Sequence, residues 1–217
     1  MRLRALRWIA TLLALATAAA ALALLTGVFD MASKYEEPAY TVVRTAPEFE
    51  VRMYAPTIEA QVTVPGTYSE AVTASFRVLA GYIFGGNAPR STIAMTTPVS
   101  ASPGSQQIAM TTPVSAAQGA QGWTVSFTMP SDKTLATLPV ANDPRVRLVA
   151  VPGKTWVVRK FRGRATDKVV AGELARLKQD AVGGGLQLLD VPVVSQFNPP
   201  WVLGPWRRNE VRWLLAD

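Results

Sequence analysis

Twice along this chain a set of short alternating strands gives way to a single helix that stops at glycine, after which strands resume. In the first round, residues 40–44, 49–54 and 58–64 are bounded by Pro or Gly and read as strands, with apolar residues at 49, 51 and 53. Thr67-Tyr68-Ser69-Glu70 has the spacing of a capping box, which predicts a helix from about Tyr68 to Phe84 that Gly85-Gly86 ends. In the second round, 146–151 and 155–161 read as strands, and 167–182 reads as a helix with Val170, Leu174 and Leu177 on one side. Gly183-Gly184-Gly185 stops that helix, and strands follow at 191–197 and 211–215. This order predicts an α+β fold of two similar halves around one antiparallel sheet or barrel.

The first predicted helix carries two apolar stripes. Val72, Phe76, Leu79 and Ile83 form the one expected on the sheet. Ala71, Ala74, Ser75, Val78 and Tyr82 form a milder one that is expected to meet something besides the sheet. Beyond that helix, the nonapeptide Ile-Ala-Met-Thr-Thr-Pro-Val-Ser-Ala occurs at 93–101 and again at 108–116. Its alternation predicts two strands joined by a hairpin loop over 101–107. Residues 123–129 alternate again, and 130–144, with three Pro, read as loop.

The chain has no His and no Cys, so imidazole and thiolate chemistry are excluded, and with them Ser-His and Cys-His catalysis and most metal sites. Trp8 to Phe29 is 22 residues without a charge. As a helix it would span ~33 Å, enough for a hydrocarbon core. Arg2, Arg4 and Arg7 precede it and favour a cytoplasmic N-terminus. Residues 1–29 are therefore expected to be an N-terminal transmembrane helix or a signal peptide, 30–39 a linker, and 40–217 the folded domain. The membrane contact would run through residues 8–29. The domain would sit on the outer side of the cytoplasmic membrane, or free in the periplasm if Ala18–Ala21 is a cleavage site. The rest of the chain is mildly basic with dispersed charges, so nucleic-acid binding is not expected.

Several segments together resemble the SOUL haem-binding protein family. They are Phe49-Glu50-Val51-Arg52-Met53-Tyr54, the helical run Phe76 to Asn87, Ile93-Ala94-Met95-Thr96-Thr97-Pro98-Val99, Asn198-Pro199-Pro200-Trp201 and Arg207-Arg208-Asn209-Glu210-Val211. The resemblance implies a distorted antiparallel β-barrel of two similar halves, each contributing one flanking helix. It also implies non-covalent binding of haem or another tetrapyrrole on the outer face of the first helix. Carried over by position, it points to Thr73, Phe76, Arg77 and Ala80, with Phe197 and Trp201 from the segment before the last strand. Ligation through His, described for some members, is impossible in this chain.

Each candidate also has a plainer reading. Met95, Met110 or Tyr82 would be an iron ligand, or else ordinary core residues. Arg77 would meet a propionate, or else only water. Phe197 and Trp201 would stack on a ring, or else pack their loop. Arg207-Arg208-Asn209-Glu210 reads as local hydrogen bonds and ion pairs that fix the turn into the last strand. Related effector-binding and hydrolase domains of similar two-half architecture use a buried Glu, and no Glu here is marked as its counterpart. The expectation is a weak, exchangeable haem buffer or carrier tethered to a membrane, not an enzyme. The alternative is a binder or hydrolase of another amphiphilic small molecule.

Overall fold

The computed structural model describes residues 35–89, 106–199 and 201–216. The expected N-terminal helix and the first nonapeptide copy, including Met95, lie outside them. The strands are β1 (Tyr40–Thr45), β2 (Glu50–Tyr54), β3 (Thr57–Val64), β4 (Asn87–Ala88), β5 (Val114–Gly119), β6 (Gly122–Thr128), β7 (Val140–Ala141), β8 (Arg147–Val151), β9 (Thr155–Arg162), β10 (Leu188–Gln196) and β11 (Arg208–Leu215). The helices are α1 (Tyr68–Ile83) and α2 (Asp167–Gly183), with a 3-10 turn at Gly204–Trp206. Among the described residues no helix is long and apolar enough to cross a membrane.

Nine strands form one antiparallel sheet in the order β1-β2-β9-β11-β10-β5-β6-β3-β8, and β4 pairs with β7 in a separate ribbon. The two halves are legible in that order. β9-β11-β10 and β3-β6-β5 are equivalent triplets, joined where β10 pairs with β5. β2 precedes β3 in the chain yet pairs with β9, and β8 precedes β9 yet pairs with β3, so the halves exchange strands. The expected barrel is corrected in one respect. Among the described residues β1 and β8 are free edges, so the sheet is a curled half-barrel and does not close.

One face of the sheet is apolar because its strands alternate. Val51, Ala60, Val62, Ala116, Val125, Phe127, Val157, Val194 and Val211 all lie on it and are nearly sealed from water. Helix α1 covers its β3–β6 half, and α2 covers β9, β10 and β11. Burying each such Val or Phe contributes about 1.5–3 kcal/mol before entropy is charged against it.

The sequence signals place α1 as expected. Thr67 Oγ1 accepts from the Glu70 amide (3.4 Å), and the Thr67 amide donates to Glu70 Oε2 (2.9 Å). At the other end the chain turns through Gly85 at φ +114°, a conformation costly for any residue with a Cβ. Asp167 joins the two helix starts, accepting from the Ser69 amide (3.1 Å) and hydroxyl (2.6 Å).

Two expectations fail in ways that matter for the site. Residues 106–110 are not a strand, and β5 begins only at Val114. The intervening backbone bonds elsewhere: the Thr112 amide donates to Glu36 O (2.9 Å), and Pro113 has no N–H to offer a ladder. Much of the second stripe of α1 is also covered by the protein itself. Ala71, Ser75 and Tyr82 are at most 2 % exposed, and the Tyr82 hydroxyl donates to Pro139 O (3.0 Å). Part of the 130–144 stretch, read as loop, covers the Tyr82 end of the stripe, with Leu138 fully buried.

Candidate functional site

Polar and charged residues occupy the other face of the curled sheet. Strand alternation puts Thr57 and Glu59 of β3, Ser126 and Thr128 of β6, Ser115 of β5, Ser195 of β10, Arg208, Glu210 and Arg212 of β11, Trp156 of β9, and Arg52 and Tyr54 of β2 on one side. Because the sheet curls, residues from both of its ends line a single cavity of about 60 Å³. At its centre the Ser115 and Ser195 hydroxyls lie 3.0 Å apart, where the two halves meet.

A continuous ion-pair chain crosses this face. Lys160 Nζ meets Glu50 Oε1 (3.1 Å), Arg52 Nη2 meets Glu50 Oε2 (2.6 Å), and Arg52 Nη1 meets Glu210 Oε2 (2.9 Å). Arg208 Nη2 then meets Glu210 Oε1 (3.1 Å), and Arg208 Nη1 meets Glu37 Oε1 (2.9 Å). Arg52 Nη1 also donates to the Tyr54 hydroxyl (3.1 Å). Arg52 and Glu210 are at most 1 % exposed, and such charges survive burial only when paired.

The surroundings shift the titrations. Burial opposes ionisation of Glu50, but hydrogen bonds from Arg52 and Lys160 outweigh it and hold its pKa below the ordinary 4.5. Burial likewise disfavours the Arg52 cation, and the Glu210 carboxylate and Tyr54 more than compensate, raising its pKa. Tyr54 is pushed up by burial and then by the nearby Glu210 charge.

Arg212 stands apart from this chain. Its guanidinium lies 4.7 Å from the Trp156 ring and 5.4 Å from the Tyr54 ring. Its Nε is buried and has no hydrogen-bond acceptor among the described residues.

The residues singled out in the sequence fall in different places. Thr73 and Arg77 are on the outer side of α1, both exposed, and the Thr73 hydroxyl donates to Ser69 O (2.8 Å). Phe76 and Ala80 also lie on this helix, Phe76 edge-on to Phe127 with ring centres 5.4 Å apart. These four share the flank of α1 that the sheet leaves accessible. Phe197 is instead in the polar cavity, under the Arg208 guanidinium at 3.8 Å. Trp201 is 68 % exposed in the loop before β11. α1 meets the end of β10 through Gln196 Nε2, which donates to the Tyr68 hydroxyl (2.6 Å). Arg77 and Ala80 lie ~14 and ~18 Å further along the helix. Met110 is half-buried against the core, and among the described residues no group of three His, Cys, Asp or Glu is placed to hold a metal.

Sequence reasoning missed the cavity and its buried carboxylate, Glu210. The signal was present in Arg208, Glu210 and Arg212, three charges at alternate positions of one strand. It also missed Gly81 beside Ala80. A Cβ built at Gly81 would meet nothing within 4 Å, so no packing among the described residues calls for glycine there. A glycine within a helix costs about 0.8–1 kcal/mol relative to Ala.

Comparison with curated proteins finds no match. Among solved structures, a hydrolase from Listeria innocua is similar at 14% identity, with a TM-score of 0.50, over 80% of this chain and 94% of that one. The EcmrR C-terminal domain is similar at 13% identity, with a TM-score of 0.51, over 82% of this chain and 98% of that one. At such identities these likenesses establish the fold alone. The family model for the SOUL heme-binding protein matches residues 35–214, nearly all of the domain built above, and this chain belongs to that family.

Proposed function

We propose that this protein binds a tetrapyrrole on the accessible flank of α1, as a buffer or carrier and not as a catalyst. One observation carries the reading. The flank formed by Thr73, Arg77, Ala80 and Gly81 has mostly small side chains, and its cation, Arg77, forms no ion pair among the described residues, so a flat anionic guest meets both a level surface and a counter-charge. Phe84, 61 % exposed, ends this flank and offers a ring to stack on. Phe76 and Ala80 supply its base. Trp201 would close over the guest only if its loop folds toward α1, and Phe197 is assigned to the polar cavity instead. Bound haem would bring its iron, and the chain, lacking His, would hold the macrocycle by apolar contact and propionate pairing. Burying ~200 Å² of ligand surface contributes about 5 kcal/mol, so affinity should be micromolar at best. Residues 8–29 would tether the domain at the outer surface of the cytoplasmic membrane.

Titration with ferric hemin and with iron-free protoporphyrin tests the reading. Similar affinities for the two, both weakened by Arg77→Glu and by Gly81→Leu, support it. Uptake indifferent to both substitutions refutes it.

A further inference from the structure

The fold does not require the charges of the polar cavity. The two halves are equivalent in their pairing: Ser195 opposes Ser115, Ser195 pairs with Glu210 on β11, and Ser115 pairs with Ser126 on β6. By the same register Arg212 corresponds to Thr128, and Arg208 to Thr124. One half thus builds this face from Ser and Thr, and the other installs two arginines and a glutamate at matching positions.

The carboxylates around the cavity already have partners. Glu210 is paired with Arg52 and Arg208, Glu37 with Arg208, and Glu50 with Arg52 and Lys160, while Glu59 accepts from Gln61 (2.9 Å). Arg212 and Lys154, which also line it, have no carboxylate within ion-pair range among the described residues. The exceptional group is Arg212. A buried N–H without an acceptor is costly, and this one adjoins open space. The Trp156 and Tyr54 rings flank the guanidinium, and its fork of donors matches a planar carboxylate.

The surface next to Arg212 is apolar. Leu214 follows it on the same face of β11 and lines a groove of about 680 Å³ with Met53, Leu189 and Leu215. That groove shares Tyr40, Tyr54 and Lys154 with the cavity, so the two adjoin. Met53 and Leu189 are about half exposed, at 53 % and 47 %.

We propose that the cavity and this groove form a second site, for an amphiphilic monocarboxylate. The carboxylate would accept from Arg212 Nε and Nη, with Lys154 at the mouth, and the alkyl chain would lie along Leu214, Leu189 and Met53. A cationic amphiphile would meet Arg212 and Lys154, and among the described carboxylates of the cavity only Glu59, already accepting from Gln61, lacks a cationic partner. The cavity and groove share no lining residue with the flank of α1, so the two sites are separate.

Calorimetric titration of the full-length protein with octanoate, acetate and octylamine tests this. Saturable one-to-one binding of octanoate is expected, at least about tenfold tighter than acetate, with no binding of octylamine. Arg212→Gln should weaken octanoate at least about tenfold, the scale of one charge-assisted contact. Lys154→Gln, at an exposed position, should weaken it a few-fold and serves where Arg212→Gln does not fold. Octanoate uptake that is unchanged in the folded variants, that does not saturate, or that octylamine or acetate equals would overturn the proposal. Saturating hemin should leave octanoate affinity unchanged, so failure of either site is read separately.

Discussion

Arg52 and Glu210 stand 158 residues apart in the chain, yet their side chains meet at 2.9 Å with almost no contact with solvent. Removing either partner strands the other as a buried charge. Glu210→Ala is expected to destabilise the domain by about 3–5 kcal/mol. The double variant Arg52→Met/Glu210→Leu removes both charges and should cost less than Glu210→Ala alone. Urea unfolding of the three proteins decides the point, and a double variant worse than the single would contradict it.

Glu50 makes stability depend on pH in a defined direction. Its folded pKa lies below the ordinary 4.5, so the carboxylate stabilises the fold above that value. The contribution is lost as pH falls from 4.5 through the folded pKa, because the proton is then taken up more readily by the unfolded chain. Glu50→Gln should therefore flatten the acid limb of a stability–pH curve. An acid limb of unchanged slope in the variant would contradict this.

Tyr68 should act at the opposite end of the scale. Burial raises its phenol from 10 to about 12, against the opposing hydrogen bond from Gln196. The unfolded chain ionises first, so stability should decline between about pH 10 and 12. Tyr68→Phe removes that decline and leaves Gln196 Nε2 without its acceptor. Thermal unfolding from pH 9 to 12 tests both effects.

Gly122 opens β6 at φ +115°, and a Cβ there would run into Val64 O and the Pro65 Cα. Gly122→Ala should cost at least about 1–3 kcal/mol by strain alone. Gly81→Ala should do the reverse, adding up to about 1 kcal/mol because nothing opposes the methyl group and the helix gains propensity. Melting temperatures of the two variants should move in opposite directions.

The capping box at Thr67 and the glycine stops make α1 and α2 legible in the sequence, because caps are local chemistry. Alternation makes most strands legible for the same reason. The cavity is not, and Arg52 shows why. With Phe49 and Val51 as the apolar face of β2, Glu50 and Arg52 read as facing water. Only the curl of the whole sheet turns that polar face inward, and curl depends on pairings over more than a hundred residues. Tyr82 fails the opposite way: its stripe reads as available, but the proline-rich stretch ending near Pro139 folds back over it. Thr112 bonds Glu36 where the repeat predicts a neighbouring strand, a choice made by a distant segment and not by the alternating pattern.

The exchange of β2 and β8 between the halves has a consequence for how this domain comes apart. Each half lends the other an outer strand, so a chain severed between β7 and β8 yields two fragments that each lack part of the sheet. Neither fragment alone should hold a native fold, whereas the two mixed together should complement one another and restore it. The duplication therefore survives as an interlocked pair and not as two separable modules.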